Sequence, residues 1–166
     1  MINLKKNIKF LITLLILLEL SFHSNFVYAA SSSGNGATDK TSLYKSGKKL
    51  VLRAKKLEKK DKIEKAKKLY LKAYSKFEKA YVKDKKIADI LNYLGYTLRK
   101  TGDFEKAETY YLKGLELDSG HLGINEYLGE LYVQTGRLEL AKERLEVLSG
   151  CKCEEYEELK ELIEEN

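Results

Sequence analysis

The amino-acid sequence predicts an all-α protein in which antiparallel helix-turn-helix repeats stack as a short α-solenoid, closed by a C-terminal capping helix. The first observation is compositional: the 166 residues include no proline, and strand-type alternation of polar and apolar residues is absent. The second is that apolar residues recur at helical spacing from Leu43 onward. The third is that residues 88–121 match residues 122–155 at an offset of 34, and a fixed period marks repeat architectures.

The two 34-residue units keep residue types where a helical hairpin needs them. Gly95 and Gly129 lie inside first helices, where glycine costs roughly 1 kcal/mol against alanine, so they predict that a neighbouring helix approaches closely. Gly102 and Gly136 follow the first helices and suit the C′ position, which needs positive φ. Asp103 can then cap the second helix of its unit.

These positions resemble the tetratricopeptide repeat, a 34-residue helix-turn-helix unit with apolar, glycine, alanine and aromatic residues at set places. Two departures are Asn125, where the family prefers a large apolar residue, and Ser119, where it prefers proline. The resemblance implies a superhelix whose concave face is lined by the first helix of each unit. The matching residues are Leu91, Leu94, Gly95, Leu98, Gly102, Phe104, Ala107, Tyr111 and Gly114 in the first unit, and Leu128, Gly129, Tyr132, Gly136, Leu138, Ala141, Leu145 and Leu148 in the second.

Residues 1–29 have the three-part pattern of a secretory signal peptide. Lysines precede an apolar run over 10–18, and small residues follow at Ala29 and Ala30, after either of which we expect cleavage. The alternative is an uncleaved anchor, but the run is shorter than the ~20 residues of a membrane span. We therefore expect export to a bacterial envelope, as a periplasmic or secreted protein with no stable membrane insertion after cleavage. Residues 30–41 are rich in Ser, Gly and Asn, which predicts a flexible linker.

Residues 42–86 are predicted to form a degenerate first repeat. Aligning Ala66 with Ala107 starts this unit near Gly47, and the step from Gly47 to Ala88 is 41 residues, seven more than the regular period. Seven residues are about two helical turns. We therefore expect a hairpin resembling the repeat but with an extended second helix; the alternative is a plain helical hairpin that only caps the array.

The charge is distributed unevenly along the chain. Residues 40–86 contain 19 basic and five acidic side chains, whereas residues 87–166 contain nine basic and 18 acidic ones. A basic surface can meet nucleic acid, an anionic membrane or an acidic protein, or can simply be solvated. Export and the absence of an Arg-aromatic readout set argue against nucleic acid. The opposite charges also permit head-to-tail self-association, weakened by salt.

Residues 154–165 predict a capping helix with one apolar and one acidic face, as the open end of a repeat array requires. Together with the repeats, Cys153-Glu154-Glu155-Tyr156 resembles the ending of a group of small exported bacterial tetratricopeptide proteins. Three roles are open for Cys151 and Cys153: a local turn or disulfide, a metal or redox site, or intermolecular pairing. The ligands within reach do not complete a zinc site, and we predict no metal and no cofactor.

No catalytic site is predicted. Ser-His-Asp chemistry would have to use His121, which we expect to be an exposed residue of the loop between the repeats. The sequence also lacks a Gly-rich phosphate loop.

The family resemblance implies a binding groove and therefore a non-catalytic scaffold or adaptor for a protein or peptide segment. Two alternatives are a structural subunit that assembles through its basic and acidic ends, and a metal or redox accessory protein using Cys151 and Cys153. The groove-facing positions implied by the resemblance are Asp89, Asn92, Tyr96, Arg99, Lys100, Glu126, Glu130, Val133 and Gln134.

Overall fold

The computed structural model describes residues 36–166, so the predicted signal peptide 1–29 and the first part of the linker 30–41 lie outside the described residues. The described part is all-α, without a strand, which confirms the predicted fold class. Its seven helices are α1 (Gly36–Glu58), α2 (Ile63–Lys83), α3 (Ala88–Arg99), α4 (Phe104–Leu117), α5 (Leu122–Gln134), α6 (Leu138–Leu148) and α7 (Glu154–Glu164).

The helices form three hairpins, α1–α2, α3–α4 and α5–α6, and α7 packs on α5 and α6. The first helices approach one another directly: α1 comes within 8 Å of α3, and α3 of α5, measured between Cα atoms. Among the described helices, α2, α4 and α6 make no such backbone approach to each other. Because the first helices are closer together than the second ones, they line the inner, concave side of the stack.

Buried glycines allow aromatic rings to pack against the first helices. A Cβ atom added to Gly95 would lie 2.5 Å from a ring carbon of Tyr111, and one added to Gly47 would lie 2.6 Å from the ring of Phe77. Any side chain at these positions would therefore overlap a fully buried ring. The equivalence of the two contacts shows that α1–α2 packs like α3–α4.

This equivalence corrects the predicted register of the first hairpin. Gly47 and Phe77 are 30 residues apart, whereas Gly95 and Tyr111 are 16 apart, so the first hairpin contains 14 additional residues between the two contacts. These correspond to about two turns in each helix. The prediction that only the second helix is extended, with Gly47 aligned to Ala88, is therefore wrong: both helices are longer.

The extension is stable because both helices remain apolar along it. Val51 and Ala54 on α1 and Ala66 and Tyr70 on α2 are buried against each other and against the next hairpin. Aligning Ala66 with Ala107 compared the wrong turn of α2, because alanine recurs at the helical spacing along that whole face. The residue that corresponds to Ala107 is Ala73, one regular period earlier.

The predicted linker 30–41 is also partly wrong, since α1 begins at Gly36. Two ion pairs fasten this first stretch of α1 to the end of α2. Lys83 lies 2.8 Å from Asp39, and Lys40 lies 2.7 Å from Asp84. A composition typical of linkers thus becomes helical where a neighbouring helix end supplies partners.

The turns within the two regular repeats behave as predicted at their glycines. Gly102 and Gly136 have φ values of 94° and 73°, the left-handed region that favours glycine. Asp103 caps α4 by accepting a hydrogen bond from the backbone N–H of Lys106. Arg137 precedes α6 without capping it, and instead donates two 2.9 Å hydrogen bonds to the carboxylate of Glu108 on α4.

Cys151 and Cys153 are bonded to each other in the turn between α6 and α7. Within residues 36–166, no group of three histidine, cysteine or acidic side chains is arranged to hold a metal ion. In the same part of the chain, no helix has the length and apolarity needed to cross a membrane.

Candidate binding groove

The inner face of the stack carries a row of tyrosines contributed by three first helices. Tyr44 of α1 and Tyr93 of α3 are in edge contact, with ring centroids 5.7 Å apart. Tyr96 of α3 and Tyr127 of α5 follow, 4.8 Å apart. Tyr44, Tyr93 and Tyr127 are partly exposed, whereas Tyr96 is buried. The row therefore presents aromatic surface to anything that enters the groove.

Cationic side chains lie over these rings. Lys48 is placed 5.5 Å from the ring centroid of Tyr44, and Lys55 is 5.2 Å from that of Tyr96. The guanidinium of Arg99 lies 5.6 Å from the rings of both Tyr96 and Tyr127. Such contacts are worth roughly 0.5–2 kcal/mol, depending on solvent exposure.

Arg99 is a structural element of the groove floor. Its side chain is only 2% exposed and pairs at 2.6 Å with Glu130, which joins α3 to α5. Lys100 has a comparable role on the other side, because it lies 2.9 Å from Glu58 of α1. Glu58 also accepts a 2.7 Å hydrogen bond from the hydroxyl of Tyr70. The two basic residues thus hold successive hairpins together.

A pocket of about 460 Å³ opens on the inner face, between the ends of α3 and α5 and beside α7. Its wall combines tyrosines with acidic and amide side chains, and one lysine. The lining residues are Tyr44, Lys48, Asp89, Asn92, Tyr93, Asp118, Gly120, His121, Leu122, Gly123, Glu126, Tyr127 and Glu155.

Asn92 is a buried wall residue with an unused acceptor. It is 6% exposed, and its Oδ1 atom has no hydrogen-bond partner among the described residues. A Cβ atom added to Gly123 would lie 2.8 Å from the Nδ2 atom of Asn92, so the absence of a side chain at residue 123 makes room for the amide. A buried acceptor without a donor costs about 1–3 kcal/mol.

Glu126 is the second buried polar residue of the wall, at 3% exposure. Burial raises the pKa of its carboxyl to about 9, and the neighbouring carboxylates of Glu158, Glu130 and Glu155 add to the increase. The side chain is therefore protonated at neutral pH in the folded protein. Glu155 and Glu158 belong to α7, so the capping helix contributes to this environment.

The raised pKa of Glu126 predicts a pH-dependent stability. Below about pH 4.5 the carboxyl is protonated in both states; as pH rises towards 9, the unfolded chain ionises while the folded one holds its proton, so stability falls. Glu126→Gln is expected to remove this loss, which for a shift from 4.5 to about 9 is on the order of 6 kcal/mol across that pH range. Urea unfolding at pH 5, 7 and 9 measures it, with the exposed Glu116→Gln as the matched control. Parallel pH profiles for Glu126→Gln and the wild-type chain would contradict the assignment.

The predicted groove residues lie at several depths. Asn92 and Glu126 line the pocket with the exposed Asp89, whereas Tyr96 and Arg99 are buried beneath the surface. Lys100 and Glu130 are half-buried in ion pairs. Val133 and Gln134 lie at the far end of α5, outside the pocket.

The residues missed by the sequence analysis are the exposed part of the aromatic row. Tyr93 and Tyr127 are separated by one regular period of 34, so the self-alignment contained the signal. Tyr44, Lys48 and Lys55 lie on α1. The incorrectly predicted register of the first hairpin assigned no groove positions to this helix.

His121 differs from its expected role as an exposed loop residue. It caps α5, because its Nδ1 accepts a hydrogen bond from the backbone N–H of Ile124, and its Nε2 lies 3.3 Å from Asp89. The buried Asn125 donates from Nδ2 to the carbonyls of Ser119 and His121, which ties the same loop to α5. This explains the amide at a position where the repeat pattern has an apolar residue.

Solved structures with the same fold were found by comparison, all with low sequence identity. PcrH from Pseudomonas aeruginosa is 18% identical, with a TM-score of 0.56 over 82% of this chain and 97% of that one. The first repeat domain of Spaghetti (RPAP3), solved with the HSP90 peptide SRMEEVD, is 19% identical, with a TM-score of 0.52 over 72% of this chain and 91% of that one. The translocator chaperone SycD of Yersinia enterocolitica is 20% identical, with a TM-score of 0.51 over 74% of this chain and 90% of that one. No curated protein matches significantly.

Three stacked hairpins, a capping helix and a groove lined by first helices define an all-α helical-repeat protein. The model of the tetratricopeptide repeat matches residues 50–119, which span most of α1–α2 and the unit α3–α4. Residues 50–119 therefore contain tetratricopeptide repeats.

Proposed function

We propose that this chain is a non-catalytic scaffold that binds a protein or peptide segment in its concave groove. The observation that carries the proposal is the row of partly exposed tyrosines, Tyr44, Tyr93 and Tyr127, beside a pocket of about 460 Å³. Aromatic surface with few rotatable bonds provides binding area at low entropic cost. The peptide recorded with the RPAP3 domain gives a precedent for this use of the fold.

The burial of Tyr96 and Arg99 determines which variants can test the proposal. Substitutions there would disturb the packing between hairpins, so a loss of binding would not identify the groove. Tyr93 and Tyr127 are better positions, because both are partly exposed on the inner face. Tyr110 on α4 is a matched control, since it is also partly exposed but packs against Tyr81 of α2, outside the pocket wall.

A displayed library of random synthetic peptides, selected on the full chain, tests the proposal directly. We expect enriched peptides whose binding is weakened at least about tenfold by Tyr127→Ala or Tyr93→Ala and less than about twofold by Tyr110→Ala. Failure to enrich any peptide, or equal loss in all three variants, would overturn the groove function.

We further propose that the protein acts in the cell envelope after cleavage near Ala29. The proposal is supported by the signal-peptide pattern of residues 1–29 and by a pair of bonded cysteines, which is typical of oxidising compartments. N-terminal sequencing of the protein from cell fractions tests it. An intact N-terminus in the cytoplasmic fraction would contradict it.

A further inference from the structure

The pocket wall contains more hydrogen-bond acceptors than donors. Asn92 supplies an unpaired Oδ1, and Asp89, Asp118, Glu126 and Glu155 supply carboxyl groups. We propose that this pocket receives a lysine or arginine side chain of the segment bound in the groove. The inference rests on the proposed function and specifies the chemistry of the partner.

The unpaired Asn92 acceptor is the first support. Its Oδ1 atom is buried and has no donor among residues 36–166, although the residue lines the pocket. Only a group that brings an N–H or O–H can satisfy this atom without rearranging the wall. A guanidinium brings five N–H donors and an ammonium three, and neither brings an acceptor.

The carboxyl groups are the second, independent support. In the described part of the chain, neither Glu126 nor Glu155 forms an ion pair with a lysine or arginine. Asp89 is engaged by His121, and Asp118 by the backbone N–H of Gly120. A cation entering here would meet the carboxylates of Asp89 on α3 and Glu155 on α7, and would favour ionisation of Glu126 on α5, which makes the site complementary to a basic side chain.

Lys48 does not already fill this role. Its ammonium lies over the rings of Tyr44 and Tyr93, 5.5 and 5.7 Å from their centroids. No ion pair joins it to a carboxylate within the described residues. It occupies the α1 side of the pocket, so the α5 and α7 side, with Glu126 and Glu155, is left for the incoming cation.

An acidic segment is the less favoured occupant. Its carboxylate would be repelled by the carboxylates of Asp89 and Glu155 and would leave the Asn92 acceptor unpaired. The lysine-rich hairpin α1–α2 of a second copy is another source of basic side chains. Sedimentation of the chain without peptide distinguishes that occupant from a separate partner.

The chemistry of the selected peptides tests the inference. We expect enriched sequences to share a lysine or arginine at one position, and replacement of that residue by norleucine to weaken binding about tenfold or more. Glu126→Gln and Asn92→Ala are each expected to weaken the basic peptide but not the norleucine version. The exposed Glu116→Gln is the matched control and should leave both unchanged.

Proton release provides a readout that packing changes would not mimic. A bound cation favours the ionised form of Glu126, which faces Glu130 on α5 and Glu155 and Glu158 on α7 and is otherwise protonated. Titration calorimetry at pH 7 in buffers of different ionisation enthalpy should therefore show proton release with the basic peptide. The norleucine peptide and the Glu126→Gln variant should show none.

The outcomes separate this inference from the proposed function. Enrichment of neutral or acidic peptides that still depend on Tyr127 would overturn the cation site and leave the groove function standing. Absence of any enriched peptide would overturn the groove function itself. If the chain without peptide forms oligomers that dissociate in high salt and are lost in Glu126→Gln, the basic side chain comes from a second copy and not from a separate partner.

Discussion

Arg99→Ala is expected to lower the free energy of unfolding by about 3 kcal/mol. The guanidinium is almost completely buried and is the partner of Glu130 at 2.6 Å. Its removal leaves a poorly solvated carboxylate beside the acidic group around Glu126, and also removes the cation between Tyr96 and Tyr127. Urea unfolding at neutral pH measures the loss.

Two further variants show whether the loss comes from the uncompensated charge. Lys100→Ala removes a pair whose side chains are 27% and 24% exposed, so its cost should be about 1 kcal/mol or less. The double variant Arg99→Met/Glu130→Met removes both charges and keeps most of the volume, so it should be more stable than Arg99→Ala. If Arg99→Ala costs no more than Lys100→Ala, the pair does not hold α3 and α5 together as the structure indicates.

Arg99 also illustrates how far the groove can be predicted from sequence. The repeat pattern correctly assigns it to a first helix, but its depth depends on neighbours that the repeat does not encode. Tyr127 comes from the next unit and Lys55 from the previous one, and both cover the floor around Tyr96. Side chains from three hairpins therefore decide which groove positions are accessible.

The fold class was predictable because it depends on local signals that the chain repeats. The glycines at 95, 102, 129 and 136 and the period of 34 require only comparison of the sequence with itself. The register of the first hairpin was not predictable in this way, since alanines at helical spacing along α2 allow alignments that differ by whole turns. The contact between Gly47 and Phe77 resolves it, and such a contact between residues 30 positions apart is visible only in three dimensions.

The corrected register explains why the basic hairpin is part of the binding face. With Gly47 equivalent to Gly95, Tyr44 and Lys48 occupy the positions that Asn92 and Tyr96 have in the next unit. The groove then begins with aromatic and basic side chains on α1 and ends with acidic ones on α5 and α7. In the proposed binding mode, this gradient would give the bound segment a preferred direction, because its basic side chain would be attracted to the α7 end.

The second large loss of folding stability is expected from Leu159→Ala in α7. Leu159 is fully buried, and its methyl groups fill the space that the missing side chain of Gly129 leaves on α5. Leucine-to-alanine changes in such positions cost about 2–5 kcal/mol. The matched control is Leu112→Ala, because Leu112 on α4 is 45% exposed and its truncation should cost less than about 1 kcal/mol.

Weaker packing of α7 in Leu159→Ala should also change the pKa of Glu126. Glu155 and Glu158 would move away and water would reach the carboxyl, so the pKa of Glu126 should fall from about 9 towards its ordinary range. Carboxyl titration by NMR measures this change. A Glu126 pKa unchanged in Leu159→Ala would mean that α7 is held by contacts other than Leu159.

The close fit between Gly129 and Leu159 makes it possible to predict the sign of the stability change caused by Gly129→Ala in two backgrounds. In the wild-type chain, Gly129→Ala should destabilise, because the new Cβ would lie 2.5 Å from a methyl carbon of Leu159. In the Leu159→Ala background that clash is absent, and alanine gains about 1 kcal/mol over glycine within a helix. Gly129→Ala should therefore change from destabilising to stabilising. The same sign in both backgrounds would show that the two residues do not share the space between α5 and α7.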